Sequence, residues 1–172
     1  GEITEKMCGA SRPGHFKGVT TVCTKLFHAC LPDMAFFGQK DAQQLLIIQK
    51  MVRELNFPLT IVPVPIVREE DGLALSSRNV YLEGVQRQEA LVLIKALRQA
   101  EEQIRGGERD ITRLIASIKA TIATSSHAEI DYVEILNGDN LSGLERVEGR
   151  VLIALAVKFG KTRLIDNLLV EV

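Results

Sequence analysis

Residues 34–62, MAFFGQKDAQQLLIIQKMVRELNFPLTIV, decide the fold. Met34–Phe37 is a short apolar run that stops at Gly38. The segment after it places Leu45, Ile48, Val52 and Leu55 at helical spacing, with Asp41 in the first turn where an acidic group complements the helix dipole. Asn56 and Pro58 end that helix, and Leu59–Val62, rich in β-branched residues, reads as a second strand closed by Pro63 and Pro65. Strand, helix, strand is a βαβ unit, which implies a parallel sheet with a right-handed crossover. Upstream, Val19, Val22, Cys23, Leu26, Phe27 and Cys30 share one face of a helix predicted over 18–31, with Gly18 before it and Pro32 stopping it. Two parallel strands do not make a stable domain, because parallel sheets need both faces covered. The expectation is that sequence preceding Gly1, or a partner chain, supplies the remainder; an opening Gly where translation begins with Met points the same way.

Downstream the rhythm changes. Val67–Asn79, VREEDGLALSSRN, has a turn signal at Asp71-Gly72 and no sustained periodicity, and reads as a mobile polar loop at a domain junction. Ala90, Leu93, Leu97, Ala100 and Ile104 define a helix ending at Gly106-Gly107. Asp110 caps a second helix carrying Ile111, Leu114, Ile115, Ile118 and Ile122. Three strands follow, near Ile130–Leu136, Val151–Val157 and Arg163–Val170, separated by NGDNLSG and by Phe159-Gly160-Lys161. The fold class is α/β: a partial parallel-sheet domain followed by a small α+β module.

The composition agrees with a globular protein acting on small molecules. The chain has 172 residues, 46% hydrophobic and 25% charged, with 21 Lys and Arg against 22 Asp and Glu for a net charge of -1. That balance argues against nucleic acid or anionic membrane as a partner held by bulk charge. No apolar stretch approaches a membrane span and no secretory signal opens the chain, so the location expected is cytoplasmic. Cys8, Cys23 and Cys30 form no CxxC pair and no metal-ligand spacing with His, and read as reduced packing residues.

Three clusters carry possible chemistry. In FFGQKDAQQ, Gly38 lets a nucleotide approach the backbone, while Lys40 and the helix amino end face phosphate oxygens. Asp41 either caps the helix or accepts a ribose hydroxyl, and Gln44 offers an amide to a small polar substrate. A solvated helix start accounts equally well for Lys40 and Asp41. In DGLALSSRN, Ser76, Ser77 and the Arg78 fork suit phosphates, with a helix cap as the plainer alternative. In ASRPGHFKGVTT, Arg12, His15 and Lys17 make a basic helix entry at which His15 is structural or hydrogen-bonding rather than a general base. His28 and His127 carry no ligand spacing. Arg163 and Asp166 in TRLIDN read as a structural ion pair or dimer contact.

RPGHFKGV, FFGQKDAQQL and VREEDGLALSSRNVYL, in that order and with TRLIDN near the end, together resemble the pantothenate synthetase family, the pantoate–β-alanine ligases. The resemblance implies a homodimer of the nucleotidylyltransferase superfamily, with residues 1–64 the carboxyl-terminal part of a Rossmann-type nucleotide-binding domain and 65–172 a lid. It implies an ATP-dependent, AMP-forming ligase that uses Mg2+ and joins pantoate to β-alanine through pantoyl adenylate. Carried over by motif, Gly38, Gln39, Lys40 and Asp41 contact ATP and Gln44 binds pantoate. Val67 holds the adenine through its backbone, and Leu75, Ser76, Ser77 and Arg78 stand where the family has a KMSKS-like signature; Lys40, Ser76, Ser77 and Arg78 would neutralise phosphate charge during catalysis. The family's amino-terminal half, with its HIGH-type motif, has no counterpart here, and His15 cannot stand in for it. The expectation is that these residues alone have little or no ligase activity. Another enzyme of the same superfamily, or a non-catalytic dimerisation module, are the alternatives.

Overall fold

The computed structural model describes residues 2–172; Gly1, on which the reading of the chain's start rested, lies outside them. Two compact units divide between Ile66 and Val67.

The first unit holds short helix α1 (Cys8–Ser11), α2 (His15–Cys30), strand β1 (Met34–Gly38), α3 (Ala42–Glu54) and β2 (Thr60–Val64). β1 and β2 pair in parallel, Met34 opposite Thr60 through Gly38 opposite Val64, with α3 as the crossover. Strand alternation turns Ala35 and Phe37 inward onto a core of Phe27, Ile48 and Met51. The Phe27 ring meets Phe37 and Phe57 edge-on at 6.5 and 5.8 Å, the arrangement that aromatic quadrupoles favour. Met34 and Phe36 point the other way and are exposed.

Three expectations shift. α2 begins at His15 rather than 18, because Gly18 lies within the first turn of the helix, where a glycine costs only about 1 kcal/mol relative to alanine. Its buried stripe runs Phe16, Val19, Cys23, Phe27, whereas Val22, Leu26 and Cys30 are exposed, so Cys30 is no packing residue. Pro63 lies inside β2, paired with Phe37; the missing N–H is tolerated in a two-stranded sheet where each strand has an open edge.

The second unit contains α4 (Val85–Glu89), α5 (Val92–Arg105), α6 (Ile111–Ile122) and the antiparallel meander β3 (Ala128–Asn137), β4 (Arg150–Phe159), β5 (Thr162–Glu171). Asp110 caps α6 as expected, its side chain accepting from the Arg113 amide at 3.1 Å. Leu93, Ala96, Leu97, Ala100 and Ile104 of α5 and Leu114, Ile118 and Ile122 of α6 pack with Val151, Ile153, Leu155, Val157 and Phe159 of the central strand in one core. β4 is buried on both faces from Val151 to Val157. Among the described residues no helix is long and apolar enough to cross a membrane. The architecture is therefore mixed α/β, a parallel sheet followed by a three-stranded antiparallel one.

Candidate functional site

In the first unit Gly38, Gln39, Lys40 and Asp41 sit at the carboxyl end of β1, the edge at which open parallel sheets bind ligands. Gln39–Asp41 form one 3-10 turn leading directly into α3. A Cβ added at Gly38 would meet nothing within 4 Å, and the residue has ordinary extended dihedrals, φ -70 and ψ 135. Among the described residues neither packing nor backbone strain accounts for glycine at that place; close approach of a ligand would. Asp41 is exposed and its side chain makes no capping hydrogen bond to α3, which removes the capping alternative. Gln44, half-buried, follows one turn on.

The neighbouring Gln43 was not legible as important. Its amide is 2% exposed and its Nε2 donates to the carbonyls of Ile3 and Lys6 at 2.9 and 2.6 Å, while Oε1 accepts from the Gly9 amide at 3.3 Å. It stitches residues 3–9 to the first turn of α3. His15, the first residue of α2, lies 3.4 Å from Arg12 Nη1 through Nε2. Partial burial, followed by the Arg12 charge, pulls the imidazole below its usual value, against an opposing pull from Asp41. Burial and Arg12 thus favour the neutral imidazole, while Asp41 favours the charged one.

In the second unit, the segment from Val67 begins with a paired hairpin where an irregular polar loop is expected. Arg68 and Ala74 form an antiparallel bridge, the Glu69 amide donates to Leu73 O at 2.8 Å, and the Leu75 amide donates to Val67 O at 2.9 Å. Gly72 turns this small hairpin with φ 96, a conformation L side chains rarely adopt, and Gly72, Leu73 and Ala74 are buried. The charges run together at 68–71 and the apolar residues at 73–75, so no strand alternation marks the pairing. Leu75, half exposed, leads to Ser76, whose Oγ accepts from the Arg78 amide at 3.2 Å and caps a 3-10 helix, Ser77–Tyr81. Ser77 and Arg78 are exposed, and Arg78 Nη1 donates to the Arg163 carbonyl at 3.3 Å. The Val67 carbonyl already accepts from Leu75, leaving one further lone pair.

Asp71 beside this hairpin pairs with Arg87 at 2.9 Å. The Arg87 guanidinium, helped by the Leu73 amide and opposed by desolvation, holds the carboxyl below its ordinary 3.8. A depressed carboxyl stabilises the fold fully above its unfolded value, and the contribution fades as pH falls through the folded one. Asp71→Asn is therefore expected to lower the urea midpoint at pH 7, with the gap to wild type closing toward pH 2; an undiminished gap in acid contradicts the assignment.

Arg163 and Asp166 do not pair with each other. Arg163 binds Asp131 at 2.8 Å and lies over the Tyr132 ring, whereas Asp166 takes Arg68 in a two-bond fork at 2.8 and 2.9 Å. Their odd spacing on a strand already puts them on opposite faces. His127 has a partner too, Glu89, at 2.7 Å. Among the described residues no group of three or more His, Cys, Asp or Glu is placed to hold a metal ion.

A family model for pantoate-beta-alanine ligase matches residues 1–169. The pantothenate synthetase of Syntrophomonas wolfei is 67% identical over 172 residues, 100% of this chain and 61% of that protein. That of Desulfitobacterium hafniense is 59% identical over 170 residues, 99% of this chain and 60% of that one. The crystal structure of Thermus thermophilus pantothenate synthetase superposes with a TM-score of 0.93 at 42% identity, covering 98% of this chain and 60% of that chain. A Francisella tularensis pantoate-beta-alanine ligase complexed with beta-gamma ATP and beta-alanine matches with TM-score 0.63 at 31% identity, over 98% of this chain and 55% of that one. The chain thus spans about 60% of the length of these curated relatives. From its motifs, its fold and these likenesses together, the chain belongs to the pantoate-beta-alanine ligase family.

Proposed function

We propose that this chain carries the ATP side of a site that joins pantoate to β-alanine. Residues 1–64 act as part of a Rossmann-type nucleotide-binding domain and 65–172 as its lid. The observation that carries the reading is the Gly38–Asp41 turn at the carboxyl end of β1, open above Gly38 and continuous with α3. Gly38 and Gln39 offer backbone and amide to ATP, Lys40 its charge to the phosphates and Asp41 an acceptor to ribose; Gln44 binds pantoate. Val67 holds the adenine through its backbone, and Leu75, Ser76, Ser77 and Arg78 close on the phosphates. The bound ATP and β-alanine of the Francisella relative are of the same substrate classes.

The chemistry is acyl activation. A pantoate carboxylate oxygen attacks the α-phosphorus of ATP, the bond to the bridging oxygen breaks, and pyrophosphate leaves. The β-alanine amine then attacks the acyl carbon of pantoyl adenylate, loses a proton, and expels AMP. A carboxylate is already nucleophilic, so the first step needs alignment of two anions and neutralisation of phosphate charge rather than a base. Lys40, Ser76, Ser77 and Arg78 supply cationic and hydroxyl donors for that. Mg2+ would add to the phosphate-charge neutralisation supplied by Lys40 and Arg78, and a Mg2+ ion of this kind is usually bound without an all-protein cage. A cytoplasmic homodimer is part of the same proposal, as is little or no ligase turnover by these 172 residues alone.

Calorimetric titration with ATP tests the reading. The wild-type chain should bind ATP, and Lys40→Ala should weaken binding about 10- to 100-fold, the equivalent of roughly 1.5–3 kcal/mol for a charge-assisted hydrogen bond. No ATP binding by the wild-type chain, or full affinity in the variant, overturns it.

A further inference from the structure

Asp166 occupies a position that strand geometry reserves for an apolar residue. Along β5, Leu164, Asp166, Leu168 and Val170 point to one face, and the other three all belong to the core or pack against it. Across the ladder Asp166 lies opposite Leu155, itself 0% exposed. The carboxylate is 2% exposed and receives both arms of the Arg68 guanidinium, with its Oδ1 also accepting from the Asn167 amide at 2.8 Å. Such a pair is a poor source of stability, since apolar side chains of similar volume in its place are often neutral or stabilising. What it does supply is fixed geometry, because a two-bond fork holds the guanidinium plane in one orientation.

That orientation bears on one short stretch of chain. Arg68 Nη1 donates additionally to the Gly72 carbonyl at 3.1 Å, across the turn of the hairpin, and the Arg68 backbone bridges Ala74. Ala74 is joined at its carbonyl by Asn79 Nδ2 at 3.1 Å, so the hairpin continues by hydrogen bonds into the Ser76–Arg78 turn. At its far end the same turn is tied to β5 again, through Arg78 and the Arg163 carbonyl. β5 therefore grips the stretch at two places, and the Asp166 grip is the buried one.

We propose that Arg68 and Asp166 are positioning residues for the phosphate-binding turn: held by Asp166, Arg68 fixes the hairpin that presents Ser76, Ser77 and Arg78 to the triphosphate. This rests on the reading of that turn as part of an ATP site. The pair touches no substrate.

Two variants of the full chain separate this role from a structural one. Arg68→Met with Asp166→Leu replaces the pair by apolar side chains and should keep the cooperative thermal transition. Arg68→Lys keeps the charge and loses the fork, and serves if the double variant does not fold. ATP and adenosine are titrated into each. The expected result is at least a 10-fold loss of ATP affinity with a clearly smaller loss for adenosine, which meets the hairpin only at the Val67 backbone and has no phosphates for the turn to hold. Hydrogen exchange without nucleotide should show the Leu75 and Asn79 amides opening at least 10-fold faster in the variants. Unchanged ATP affinity in a folded variant overturns the proposal, as does an equal loss for ATP and adenosine. If wild type binds no ATP, the functional reading fails, and exchange then decides the mechanical claim: unchanged protection at Leu75 and Asn79 overturns it.

Discussion

Incubated with ATP, pantoate and β-alanine, a polypeptide of these 172 residues is expected to release little or no AMP and to form little or no pantothenate. On the proposed reading two of its turns donate hydrogen bonds to phosphate, yet this chain spans only 61% and 60% of relatives that are 67% and 59% identical to it. Adenylation depends on holding two anions at attacking distance, and lost alignment removes most of an effective molarity of about 10⁵–10⁸ M. The first unit adds a physical reason: among the described residues its parallel sheet has two strands, and Met34 and Phe36 stand 58% and 66% exposed on the face opposite the core. A parallel sheet that works has both faces covered. Mass-spectrometric detection of pantothenate checks this. Turnover at roughly 1 s⁻¹ or faster, the range of ordinary enzymes, overturns it.

Phe159→Ala should be the most damaging single substitution in the second unit. Phe159 is 0% exposed at the end of the central strand and packs into the core shared by both long helices. Removing a ring there deletes transfer free energy and leaves a cavity, together about 3–5 kcal/mol. Against a total stability of about 5–15 kcal/mol for a typical domain, that moves the variant close to unfolding at ordinary temperature. Urea unfolding followed by circular dichroism measures it, with Phe36→Ala as the control. Phe36 is 66% exposed, so its truncation should change stability by less than about 0.5 kcal/mol. Similar midpoints for the two variants contradict the packing described.

These cases mark what the sequence disclosed. The βαβ unit, both long helices of the second half and all three antiparallel strands were legible, because sustained periods of 3.6 and 2 leave strong patterns. α2 was found but misaligned: Val22 and Leu26 look like core on a helical wheel, and only the packing of Phe27 on Phe37 and Phe57 tells which apolar stripe is buried. The hairpin at residues 67–75 escaped because its pairings are few and its charges cluster at 68–71 instead of alternating with apolar residues. Asp166 carried a readable signal, a carboxylate in step with Leu164, Leu168 and Val170, but its partner Arg68 lies 98 residues away, beyond any local pattern. Gln43 was hidden for another reason. Its three bonds run to backbone atoms, which every residue possesses, so no residue type elsewhere advertises them.

The central strand β4 also bears on how the chain behaves when not folded. Residues 151–157, VLIALAV, contain no charge, no proline and no glycine, and an uncharged apolar strand of that length can pair with copies of itself. In the native sheet β3 and β5 occupy both edges and the side chains are buried, so the segment is silent. Arg150 and Lys158 flank it as charged gatekeepers against self-pairing. Refolding from urea should accordingly lose yield as protein concentration rises, and neutralising either flank should steepen that loss while the folded protein's solubility barely moves.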